Sequence, residues 1–135
     1  MKIHHIGYLV KQISEAIATH EALGYHCITE LCFDESRNVD LVFMENDSYV
    51  IELVMPKDET SVVWNMLKKR GSGPYHFCYE AEDLETAIRS FCENGFVQVT
   101  EPSPTCQILP SVPQVVFLTS RKTGLIELIE KKAIE

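Results

Sequence analysis

Pro74-Tyr-His-Phe-Cys-Tyr-Glu80 is short, aromatic-rich and entered through Gly71-Ser-Gly-Pro74, the composition of a strand that follows a turn. At its centre stands His76, a polar ring where an apolar residue would pack better. The chain has built this arrangement once before. His5 begins Ile6-Gly-Tyr-Leu-Val10, and nineteen residues after it comes Gly24-Tyr25; nineteen residues after His76 comes Gly95-Phe96. Between those anchors, at a constant offset of 71, Tyr8 matches Tyr79, Ala16 matches Ala87 and Ile17 matches Ile88. The copies also end alike, Val50-Ile-Glu-Leu53 against Leu125-Ile-Glu-Leu128. This is an internal repeat with a His near the start and a Glu near the end of each copy.

Working outward, 135 residues suit one domain or two small halves sharing a core. The net charge of −8 argues against nucleic acid or an anionic membrane as the main partner, and leaves a small-molecule substrate open. No apolar run approaches the roughly 20 residues of a membrane helix, and Met1-Lys2-Ile3-His4-His5 leads straight into a strand with no signal-like segment. Cys27, Cys32, Cys78, Cys92 and Cys106 are odd in number and form no CxxC pair. Reduced thiols and a cytoplasmic location are therefore expected.

In chain order, Lys2 to Val10 reads as a strand, with His5, Gly7 and Leu9 on one face and His4, Ile6 and Tyr8 on the other. Ser14 is placed to cap a helix that buries Ile13, Ala16 and Ile17 and ends at Gly24. Strands follow at Tyr25–Cys32, Val39–Met44 and Tyr49–Met55. A connector at about 57–72 contains a helix from Ser61 to Arg70, with Trp64 as its core anchor. The second copy has a strand at 74–80, then a helix from about Asp83, its N-cap, to Asn94. Strands at Phe96–Thr100, Gln114–Thr119 and Gly124–Glu130 complete it, after a Pro-rich loop at Glu101–Pro113. The expected fold is α+β: two βαβββ modules, about 1–56 and 73–135, in one domain. Each has a curved, mainly antiparallel sheet with its helix outside, and eight strands are expected in all.

Period-2 alternation separates Glu52 from Ile51 and Leu53, and Glu127 from Ile126 and Leu128. Taken singly, a strand Glu is most simply solvated and a strand His most simply hydrogen-bonded. The repeat changes that reading, because pairing two related halves would bring His5, Glu52, His76 and Glu127 to one place. Two imidazoles and two carboxylates suit a divalent ion such as Zn(II), Ni(II), Co(II), Mn(II) or Fe(II). An octahedral shell then keeps two positions for substrate oxygens, a Lewis-acid arrangement that acidifies a C–H beside a carbonyl. A carboxylate at the metal is suited to moving that proton.

Lys2-Ile-His-His-Ile-Gly7, Val50-Ile-Glu-Leu53, Gly73-Pro-Tyr-His-Phe-Cys-Tyr-Glu80 and Gly124-Leu-Ile-Glu-Leu-Ile-Glu130 resemble the vicinal-oxygen-chelate (glyoxalase/bleomycin-resistance/dioxygenase) superfamily, most closely its glyoxalase I and methylmalonyl-CoA epimerase branches. The resemblance covers nearly the whole chain. It implies a cup of paired βαβββ modules with His5, Glu52, His76 and Glu127 as metal ligands. It further implies Glu127 and Glu52 as proton-transfer groups, and Asp40, two positions into the third strand, as an additional acid/base. The Pro102–Pro113 loop departs from the glycine-rich segment of epimerases. The leading expectation is glyoxalase I chemistry, a hemithioacetal converted to a 2-hydroxyacyl thioester. Epimerisation of an acyl-CoA is the alternative. A ring-cleaving dioxygenase is disfavoured by Glu52, which would fill a position oxygen needs, and a non-catalytic binder of the same fold by the complete quartet. The connector permits the halves to pair within one chain or across a homodimer, and a homodimer is expected.

Overall fold

The repeat is written into the element order. The computed structural model describes residues 1–105 and 113–131. Cys106 and the middle of the expected Pro-rich loop lie outside the described residues. The first copy runs β1 (Ile3–Leu9), α1 (Ile13–Ala22), β2 (His26–Cys27), β3 (Cys32–Asp34), β4 (Val39–Asn46) and β5 (Tyr49–Pro56). After α2 (Trp64–Arg70) the second copy runs β6 (Gly73–Ala81), α3 (Leu84–Glu93), β7 (Val97–Gln98), β8 (Ser103–Pro104), β9 (Gln114–Ser120) and β10 (Gly124–Glu130). The fold class is mixed α+β, as expected. The chain divides into two compact units, His5–Tyr75 and Met1–His4 with His76–Glu135. The divisions therefore fall inside β1 and β6, each immediately before one of the histidines of the repeat.

In the unit His5–Tyr75 the strand order is β2-β4-β5-β1, with β3 also paired to β4. β4 and β5 form an antiparallel hairpin in continuous register from Val39↔Pro56 to Asn46↔Tyr49. β1 lies parallel to β5, with Gly7 beside Glu52. Helix α1 covers one face of this sheet. Its Ile13, Ala16 and Ile17 pack on Val42, Met44, Ile51 and Leu53, the alternate residues that point to that face. The helix begins one residue before the expected cap. Gln12, not Ser14, holds the N-cap position, and it makes no side-chain capping bond. Gly24 follows the C-cap Leu23 at φ +102°, a conformation that favours glycine.

The other unit repeats the plan. Its strand order is β6-β10-β9-β7, with β8 paired to β9. β10 lies parallel to β6 and antiparallel to β9. Ala87, Leu84, Ile88 and Phe91 of α3 pack on Val116, Leu118, Ile126 and Leu128. Asp83 caps this helix as expected, accepting from the Thr86 amide at 2.9 Å.

Ten strands are found among the described residues rather than the eight expected, and a repeated threonine contributes to the difference. The Phe43 amide donates to Thr29 Oγ1 at 3.0 Å, and the Phe117 amide to Thr100 Oγ1 at 3.0 Å. In each copy a hydroxyl stands where the ladder would use a backbone carbonyl, so regular pairing stops after two residues at β2 and at β7. Pairing resumes at β3 and β8. Thr29 and Thr100 stand at the same 71-residue offset as the rest of the repeat. Among the described residues, no helix is long and apolar enough to cross a membrane. Among the described residues, Cys27, Cys78 and Cys92 are free.

Candidate metal centre

Each unit turns a second face away from its helix, and that face carries the histidine and glutamate of its copy. In the first copy Glu52 lies opposite Phe43 and beside Gly7, and residues so registered share a face. His5 is two positions from Gly7 and belongs to the same face. Its Nε2 lies 3.5 Å from Glu52 Oε1. In the second copy Glu127 lies opposite Phe117 and beside Cys78, and His76 is two positions from Cys78. His76 Nε2 lies 2.9 Å from Glu127 Oε1. All four side chains are buried, at 3% exposure or less. Carboxylates are almost never buried so completely without a compensating charge or strong hydrogen bonds.

The separations fit metal ligation. Two donors of one ion at about 2.1 Å lie about 3.0 Å apart across a right angle and about 3.4 Å apart across a tetrahedral one. Both His–Glu pairs fall near these values. Each imidazole is also held edge-on by the phenylalanine opposite its glutamate. His5 meets Phe43 at 5.0 Å and 84°, and His76 meets Phe117 at 5.2 Å and 85°. The sequence reading missed these two rings. Their signal was available: Phe43 stands nine residues before Glu52 and Phe117 ten before Glu127.

Arg37 was also missed. It lies between β3 and β4, in a stretch that reads as a polar surface turn, yet it is 9% exposed. Its Nε donates to Asp34 Oδ2 at 2.8 Å and its Nη2 to Glu52 Oε2 at 3.4 Å. Asp34 Oδ1 accepts from the Ser36 hydroxyl at 2.7 Å and the Ser36 amide at 3.0 Å. Burial pushes the Asp34 carboxyl up, but the Arg37 guanidinium and the bonds from Ser36 and Arg37 outweigh it and hold it below the ordinary carboxylate value.

Asp40 does not join this arrangement. It lies opposite Met55, three residues from Phe43, and continuous alternation turns it to the face away from Glu52. There its Oδ2 accepts from Lys57 Nζ at 3.1 Å. Counting positions into the strand gave no information about face, and the register supplies it. The structure thus brings His5 to Glu52 and His76 to Glu127, and leaves Asp40 out.

Repeated β-α-β modules, each presenting one imidazole and one carboxylate on the face away from its helix, define a class. The chain belongs to the glyoxalase/bleomycin resistance protein/dioxygenase superfamily, whose family model matches residues 4–107. Among curated relatives, the mitochondrial methylmalonyl-CoA epimerase of Dictyostelium discoideum is 27% identical over 133 residues, covering 96% of this chain and 78% of that one. A solved hypothetical protein from Bacillus halodurans is 29% identical with a TM-score of 0.84, covering 96% of this chain and 94% of that one. The methylmalonyl-CoA epimerase of Mycobacterium tuberculosis shares the fold at 24% identity and a TM-score of 0.80, over 95% of this chain and 86% of that one.

Proposed function

We propose that the chain is a single-domain, divalent-metal-dependent isomerase that moves a proton at the carbon alpha to an acyl-CoA thioester, the reaction of a methylmalonyl-CoA epimerase. His5, Glu52, His76 and Glu127 together hold the ion. The observation that carries the reading is the duplicated His–Glu pair, buried in each unit at a separation suited to neighbouring ligands. When bound, the ion supplies Lewis acidity to the thioester oxygen and lowers the pKa of the adjacent C–H. Glu127 takes the proton from one face of the alpha carbon, leaving the enolate; a solvent-derived proton delivered to the opposite face inverts the centre, and Glu127 returns its own proton to solvent.

The chain's likeness to a named epimerase moves the weight from hemithioacetal isomerisation, the leading expectation, to epimerisation, its alternative. Both reactions ask for the same carboxylate and the same polarised carbonyl, so the donor set does not separate them. Substrate does. Protein stripped of metal and refilled with Co(II), Ni(II), Zn(II) or Mn(II) is incubated in deuterium oxide with methylmalonyl-CoA of one configuration. Metal-dependent appearance of the other configuration, with deuterium at the alpha carbon, is the expected result. Turnover of the methylglyoxal–glutathione hemithioacetal without epimerisation would return the assignment to glyoxalase I chemistry. Inactivity on both by metal-loaded protein would overturn the catalytic reading.

A further inference from the structure

The two copies are not decorated alike. The first carries Arg37 against its glutamate, whereas residues 99–113, the corresponding stretch of the second, contain no Lys or Arg at all. Arg37 is also fixed from several sides. Asp34 holds its Nε at 2.8 Å, and Ser61, itself buried in the connector, donates its hydroxyl to the Arg37 carbonyl at 3.0 Å. The next residue, Asn38, stands at φ +54° and its side-chain Nδ2 donates to Asp58 Oδ1 at 2.8 Å and Thr60 Oγ1 at 2.7 Å. The turn is thus bolted to the connector, and the guanidinium projects from it onto Glu52 Oε2. The other oxygen of Glu52, Oε1, is the one that faces His5 Nε2.

We propose that Arg37 is a positioning residue for Glu52. It occupies Oε2, so that the carboxylate presents Oε1 alone to the ion and stays in place during turnover. The inference rests on the metal-centre reading above and adds to it a division of labour: Glu52 is a fixed one-oxygen ligand, and proton movement falls to Glu127. A planar fork suits this task, because one guanidinium reaches Asp34 and Glu52 with different nitrogens, which a single ammonium cannot reproduce.

The test uses Co(II) alone as probe, on full-length protein stripped of metal. Co(II) affinity is measured by chelator competition, and ligand geometry by the visible absorption of the Co(II) protein. Arg37→Met should weaken Co(II) binding by about 10- to 100-fold, as loss of a partner behind a ligand does. It should also alter the absorption bands as the second oxygen reaches the ion. Arg37→Lys should lose nearly as much. In a Glu52→Gln background, Arg37→Met should bring no further loss, an outcome that a merely structural role would not give. Asp34→Asn/Arg37→Met removes the buried carboxylate that the single variant strands, and keeps the test valid if that variant does not fold. A folded Arg37 variant with wild-type affinity and spectrum overturns the inference and leaves the metal reading standing. Failure of the wild-type protein to bind Co(II) overturns both.

Discussion

Filling the proposed centre should raise the thermal stability of the protein by an amount that can be set in advance. Glu52 and Glu127 are each 1% exposed, so water does little to solvate their charges. Without an ion, Glu52 keeps the Arg37 guanidinium against it and Glu127 the His76 imidazole. An ion that binds the folded chain but not the unfolded one, held at a hundred times its dissociation constant, adds about 2.7 kcal/mol. Unfolding entropy near the midpoint is about 2.1 cal/mol/K per residue, so in a 135-residue chain each kcal/mol moves Tm by about 3.5 °C. The expected rise is therefore about 9 °C. Glu127→Gln keeps the shape of the side chain and removes its charge. If this costs a hundredfold in affinity, the same metal concentration should raise the variant's Tm by only about 1–2 °C. The assay is differential scanning fluorimetry of stripped protein, with and without Co(II) or Zn(II), beside a Mg(II) control. A rise of the same size in Glu127→Gln, or none in the wild type at stoichiometric metal, would refute the reasoning.

Three further outcomes follow from contacts within single units. Leu128, fully buried among Ala81, Val116 and Leu118, leaves a cavity when truncated; Leu128→Ala should cost about 3–5 kcal/mol in denaturant titrations. Asp83→Ala removes the cap on α3 and should cost about 1 kcal/mol, read as a Tm lower by about 3–4 °C. The Asp34 carboxyl has its pKa lowered on folding, so its contribution is complete above the ordinary carboxylate range and is lost as pH falls through the depressed value. Asp34→Asn should accordingly be less stable than wild type at pH 7, and its stability should fall less steeply between about pH 4 and pH 2. Equal slopes in the two proteins would show that Asp34 gains nothing from Arg37.

What could be read from the sequence was the histidine and the glutamate that each copy repeats. His5 and His76 stand at the 71-residue offset and Glu52 and Glu127 are the middle residues of matching Ile-Glu-Leu triplets, so alternation alone gave their faces correctly. Thr29 and Thr100 obey the same offset but read as ordinary strand residues. Their effect, a hydroxyl replacing a carbonyl in the ladder, depends on which amide faces them. Asp40 was misplaced because the face of a strand residue depends on register with the neighbouring strand, and Phe43↔Glu52 is a pairing that a position count does not contain. Arg37 was invisible for a different reason. An arginine in Asp34-Glu-Ser-Arg-Asn38 is normally solvated. Its burial comes from contacts across 15 residues to Glu52 and 24 to Ser61, which no local pattern encodes.

This division between repeated and unrepeated residues bears on where substrate choice resides. The repeat has copied more than one histidine and one glutamate. The imidazole, its edge-on phenylalanine, the threonine that takes the phenylalanine amide and the facing carboxylate all occur twice. Any reaction of this superfamily that needs a polarised carbonyl and a nearby base can use that set, and fold alone does not choose among them. What separates one reaction from another must lie in residues that the copies do not share. On the first copy these include Asp34, Arg37 and Ser61, joined into one buried chain that ends on a carboxylate. Exchanging Glu127 for Gln should therefore abolish turnover whatever the substrate. Exchanging Arg37 should instead change affinity and the balance between epimerisation and hemithioacetal isomerisation, measured side by side on the same metal-loaded preparation. Equal losses on both substrates would place the determinant of specificity elsewhere.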